Sequence, residues 1–119
     1  RGLACRVLAL AGGQHLAEDR LGHLRLVDAR AGDGRHANNA WLQELPKPLT
    51  NLTWDNAVHL HPNTARSLKL KQEDVVLIQH PGITGEVRAA VMLMYGHPEG
   101  VATVHLGYGR ETVGFVGTG

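Results

Sequence analysis

Arg35, Asn38, Asn39, Trp41 and Gln43 lie within nine residues of one another, and side chains of these types recognise rather than react. Carboxamides pair with amide-like edges, a guanidinium meets anions, and an indole gives a flat ring a wall to lie against. They belong to a longer run, Asp33 to Asn56, which also holds Glu44, Pro46, Pro48, Trp54 and Asp55. Its pattern is neither that of a strand nor that of a clean helix. A long irregular connection inside a compact domain is usually functional or disordered, and tryptophans argue against disorder.

Other chemistries have less behind them. Ser67 is the only serine, and no nucleophile-elbow motif surrounds it. His59 and His61 are two apart on an expected strand and so share a face, but zinc bound there would still lack half its ligands. The only cysteine, Cys5, is far away in sequence and sits in an apolar run, where it reads as a small buried hydrophobe. No metal site is expected, and no residue is assigned a catalytic role. Asn51-Leu52-Thr53 matches a glycosylation sequon, a motif too short to weigh much.

The elements that must position the run are read from periodicity and turn chemistry. Cys5 to Ala11 is a buried strand, Gly12-Gly13 a turn, and His23 to Asp28 a second strand. Asn56 to His61 is a short strand leading into a helix that starts at Pro62, since proline suits the first helical position. Asp74 to His80 and Glu86 to Met94 are strands joined by the turn residues Pro81 to Gly85. His97-Pro98-Glu99-Gly100 turns the chain into a last strand, Val101 to Leu106, which ends at Gly107-Tyr108-Gly109-Arg110. Short strands with one or two short helices predict a mainly β fold, a small barrel with helical insertions.

Composition agrees. With 15 glycines and five aromatic residues in 119, a turn-rich β fold with an aliphatic core is expected, not a helix bundle. A net charge of +1 leaves no electrostatic footprint for nucleic acid and no polybasic surface for anionic lipid. No apolar run approaches the roughly 20 residues that span a bilayer, so no direct membrane insertion is expected. The chain opens on Arg1 and stops in glycine-rich sequence. We read residues 1–119 as a single domain excised from a larger protein.

The order strand, Pro-capped helix, Leu68-x-Leu70-x-x-x-Asp74-Val75-Val76 strand, hairpin, then Pro98-x-Gly100-Val101 strand resembles a known domain. It is similar to the C-terminal molybdopterin dinucleotide-binding domain of the dimethyl sulfoxide reductase family of molybdopterin oxidoreductases, a double-psi β-barrel. The resemblance covers roughly residues 20–110. Asp33-Gly34-Arg35-x-Ala37-Asn38-Asn39-x-Trp41-Leu42-Gln43-Glu44-Leu45-Pro46, Leu52-Thr53-Trp54-Asp55-Asn56 and Gly107-Tyr108-Gly109-Arg110 narrow it. They resemble the large molybdopterin-type iron–sulfur subunits of bacterial alternative complex III and related respiratory complexes. The family has glycine where Lys69 and Glu73 stand here, so both must accept a positive φ or turn differently.

That resemblance implies a site and a set of partners. The ligand would be part of a molybdopterin guanine dinucleotide, held only in the parent protein. Asn38, Asn39 and Gln43 would read its edges, and Arg35 and Arg110 would meet its phosphates. Trp41 would pack on its rings. His36 lies in the same loop, and Gly107 and Tyr108 would let the backbone approach.

A plainer role is open for most of them: Trp41 and Trp54 plugging one end of the barrel, Asn38 and Asn39 holding turns, Arg35 pairing with a nearby carboxylate, and Leu45 to Pro48 serving as a connector. Two functions follow. One is a cofactor-binding module, not catalytic on its own, within an oxidoreductase. The other is a cofactor-free structural or interaction domain in a quinol-oxidising electron-transfer complex, where the corresponding subunit is thought to lack molybdenum. Partners would be the remaining domains of the parent subunit and its neighbours in a membrane-associated respiratory complex. The location implied is bacterial and peripheral to the membrane, on the periplasmic face.

Overall fold

The computed structural model describes residues 4–11, 14–27, 34–79, 85–109, 111–112 and 114–116. The fold is mainly β, with a mixed sheet and two short helices. The strands are β1 (Ala4–Ala11), β2 (Gln14–Val27), β3 (Ala57–Leu60), β4 (Val75–Gln79), β5 (Glu86–Leu93) and β6 (Val101–Leu106). The helices are α1 (Ala40–Glu44) and α2 (Pro62–Ser67). Two compact units emerge, one of Arg1–Leu24 with Ala57–Thr103, the other of Arg25–Asn56 with Val104–Gly119.

The first unit is built on four paired strands. β1 pairs antiparallel with β4, β4 antiparallel with β5, and β5 parallel with β3. β2 lies antiparallel on the free side of β1, with a register shift between Leu8 and Leu10, and His59 of β3 pairs with Thr103 of β6. A parallel pair cannot be joined by a tight turn, and α2 is part of the connection that makes this one possible. The core is aliphatic, as composition predicts: Val7, Val58, Leu60, Val76 and Val91 are all fully buried. All of β3 is buried, which leaves no room for the alternation of a half-exposed strand.

Most expected elements are present, with shifts at their ends. β2 is longer than the sequence suggests, since polar residues such as Gln14, Glu18 and Asp19 break the apolar pattern that would have marked it. Asp28 and the turn residues Pro81 to Thr84 lie outside the described residues, as does His80. One expectation is corrected. β3 ends at Leu60, so His59 and His61 share no strand face; His59 is buried in β3, while His61 caps α2. There its Nδ1 accepts the Asn63 N–H at 3.1 Å, because a helix start leaves N–H groups that need acceptors.

Lys69 and Glu73 both accept the strain, with φ of 58° and 72°. Lys69 ends α2 in a Schellman pattern: its N–H donates to the Arg66 carbonyl and that of Leu70 to the Ala65 carbonyl, at 3.1 and 2.8 Å. Glu73 occupies the third position of a turn in which the Asp74 N–H donates to the Lys71 carbonyl at 3.3 Å. Its own N–H reaches the Val91 carbonyl at 2.9 Å, so the turn is tied to β5. Left-handed backbone costs a side-chain-bearing residue about 1–2 kcal/mol, more than glycine's added chain entropy. Lys69→Gly and Glu73→Gly are each expected to stabilise by about 0.5 kcal/mol or more. Urea unfolding midpoints check this, and lowered midpoints in both variants would contradict it.

Candidate functional site

The second unit contains the polar-aromatic run, and the run folds on itself. Gly34, buried with φ 100°, opens a pair of turns in which Ala37 N–H donates to the Gly34 carbonyl and Asn39 N–H to the His36 carbonyl. α1 follows, a helix the sequence pattern did not reveal because it is only five residues long. Its start is set by Asn39, whose Oδ1 accepts from Trp41 N–H at 3.1 Å and Leu42 N–H at 3.4 Å. Such a cap is worth about 1 kcal/mol.

After Pro46 the chain loops back. Lys47 N–H donates to the Leu52 carbonyl at 3.0 Å and Asn51 N–H to the Lys47 carbonyl at 2.9 Å. Trp54 N–H then donates to the Gln43 carbonyl at 3.0 Å, which ties the end of the loop to α1. Trp54 holds a φ of 60°, a costly conformation for so bulky a residue, and one that persists only where its surroundings determine it.

The expected site residues separate into two groups. Asn38, Asn39 and Gln43 have polar atoms engaged inside the unit. Asn38 Oδ1 accepts from Val116 N–H at 3.0 Å, Asn39 Oδ1 caps α1, and the buried Gln43 sends its Nε2 to the Ala37 carbonyl at 3.0 Å. Of these only Gln43 is buried; Asn38 and Asn39 are exposed, as are Arg35, His36 and Trp41.

Trp41 is 82% exposed and Trp54 49%, so the alternative in which they plug an end of the fold is corrected. The cause is α1, which turns Trp41 outward while Gln43 takes the buried side. Gly107 and Gly109 have φ of 105° and 77° and flank the half-buried Tyr108. Arg110 and Asp33 lie outside the described residues.

One residue of consequence escaped the sequence reading. Lys47, between two prolines in an apparent connector, is 3% exposed. Its Nζ donates to the Asp55 carbonyl at 3.0 Å and to Asn56 Oδ1 at 3.4 Å, and stands 4.5 Å from the centre of the Tyr108 ring. Asn56 is in turn oriented by its Nδ2, which donates to the His105 carbonyl at 2.9 Å. A buried ammonium needs such partners, because desolvation without them is prohibitive. Lys47 therefore fastens the loop at 46–54 to the strand end at 105–108. The only hint in the sequence is that prolines on both sides fix its backbone path.

The engaged atoms are the acceptor oxygens of Asn38 and Asn39 and the Nε2 of Gln43, so each amide spends part of its hydrogen-bonding capacity inside the unit. Among the described residues no group of three or more His, Cys, Asp or Glu side chains gathers as a metal site. What the unit exposes is the Arg35 guanidinium and the His36 imidazole in the turns before α1, Trp41 on α1, and Trp54 at the end of the loop. No protein-family model matches the chain, and no curated protein matches it significantly.

Proposed function

We propose that this chain is a molybdopterin dinucleotide-binding-type domain, a double-psi β-barrel, from a respiratory oxidoreductase subunit, and that it serves there as a structural and interaction domain. It is not catalytic on its own. Two features support the architecture: the strand order β1-β2-β6-β3-β5-β4 and the parallel β3–β5 pair set among antiparallel neighbours. Positive φ at Lys69 and Glu73, where the family has glycine, also supports it.

The observation that carries the structural role is the engagement of Asn38, Asn39 and Gln43 within their own unit. Exposed Trp41, Leu45, Leu49 and Trp54 then form contact area for the parent subunit or a neighbour in a membrane-associated electron-transfer complex. No helix among the described residues is long and apolar enough to cross a membrane.

A second reading keeps the cofactor. Arg35, His36 and Trp41 stay exposed, and at Gly109 nothing lies within 4 Å of where a Cβ would stand, so the backbone there is open to close approach. Calorimetry on the isolated chain separates the two. The structural reading expects GMP and GDP to bind weakly or not at all. Micromolar affinity for either would favour the cofactor-binding reading.

A further inference from the structure

Two partners of the His61 ring make opposite demands on a single atom. His61 Nδ1 accepts the Asn63 N–H at 3.1 Å, which requires a bare lone pair there. The same Nδ1 stands 3.5 Å from Oε1 of Glu99, and a carboxylate attracts it only when it carries a proton. Both contacts cannot be favourable at once. Asn63 keeps that carboxylate in place, since its Nδ2 donates to Glu99 Oε1 at 2.7 Å. A second tie joins the turn at 97–100 to α2, from the Gly100 N–H to Thr64 Oγ1 at 3.0 Å.

We propose that His61 is a proton-operated switch between α2 and the turn at 97–100. Neutral, it caps the helix. Protonated at Nδ1, it releases the Asn63 N–H and donates to Glu99, so the turn gains a charged bond as the helix start loses its acceptor. The side chain is 20% exposed, so a proton reaches it without unfolding. Other titratable or charged groups lie on the surrounding elements: His59 on β3, Arg66 on α2, and Tyr95 and His97 in the segment after β5. Arg66 Nη1 donates to Asn63 Oδ1 at 3.4 Å. His97 keeps its bonds in either charge state. Its Nδ1 must donate to the Pro98 carbonyl at 3.0 Å, while the Thr103 hydroxyl, 2.8 Å from Nε2, can donate or accept. His61 has no such freedom, because a backbone N–H only donates. The switch stands on these contacts and not on the function proposed above.

Amide hydrogen exchange on the whole chain, corrected for intrinsic rates, tests the switch from about pH 8 to about pH 5, where histidines change charge. As pH falls, protection of the Asn63 N–H is expected to drop at least about threefold, and that of Gly100 to rise about twofold. His61→Asn keeps a cap that does not titrate, so the Asn63 step is expected to vanish. Glu99→Gln is expected to keep the Asn63 step and lose the Gly100 rise.

An Asn63 step that survives in His61→Asn would assign the titration to another group. A step at Asn63 without a gain at Gly100 would leave a titrating cap and no switch. No step in the unsubstituted chain, or a Gly100 rise that persists in Glu99→Gln, would remove one of the two partners. Each of these results overturns the proposal.

Discussion

Lys47→Ala is expected to destabilise the protein by about 2–4 kcal/mol, measured by chemical unfolding. Two losses combine. The aliphatic stem leaves a void in a buried place, and the Asp55 carbonyl and Asn56 Oδ1 lose a charged donor. Lys47→Met separates these effects, because methionine fills the volume of the stem without the ammonium. Replacing a buried charge by a hydrophobe of similar shape is often close to neutral, since the desolvation cost disappears with the charge. Lys47→Met is therefore expected to lose no more than about half as much as Lys47→Ala. Equal and negligible losses in both variants would show that the lysine does not fasten the loop.

Leu60→Ala should be as damaging, at about 2–5 kcal/mol, for a different reason. Leu60 is fully buried at the end of β3, and its carbonyl accepts the Met94 N–H at 2.9 Å. Its side chain packs in a core with few aromatic residues to collapse into the vacancy, so most of the cavity should persist. Thermal and urea unfolding read the loss. A cost under about 1 kcal/mol would mean that β3 is less central than its burial indicates.

Where periodicity speaks, the sequence was a good guide. β6 matches its expected bounds, and β3, α2, β4 and β5 fall within a residue or two of theirs. Each has a strong local signal: alternation, a run of branched residues, or proline at a helix start. Lys69 and Glu73 were legible as positions of positive φ only through the resemblance, since the resembled family has glycine there; nothing in a lysine or a glutamate announces it.

The candidate site was legible in membership but not in role. The run at 33–56 stands out by composition, yet the sequence cannot say that Asn39 caps a helix or that Gln43 turns inward, because both depend on where a five-residue helix begins. Lys47 was missed for a related reason. A charged residue between prolines reads as solvated connector, and its partners lie eight or more residues away in Asp55, Asn56 and Tyr108. Tertiary partners of that kind leave no local pattern.

The central claim is that the amide groups of this run hold the domain together rather than read a cofactor. Its most direct test uses the respiratory subunit that the proposed reading would place this domain in, purified in its native state: molybdenum and tungsten by elemental analysis, and pterin by fluorescence after denaturation. The account predicts neither metal nor pterin in proportion to the subunit. Stoichiometric pterin together with either metal would contradict it.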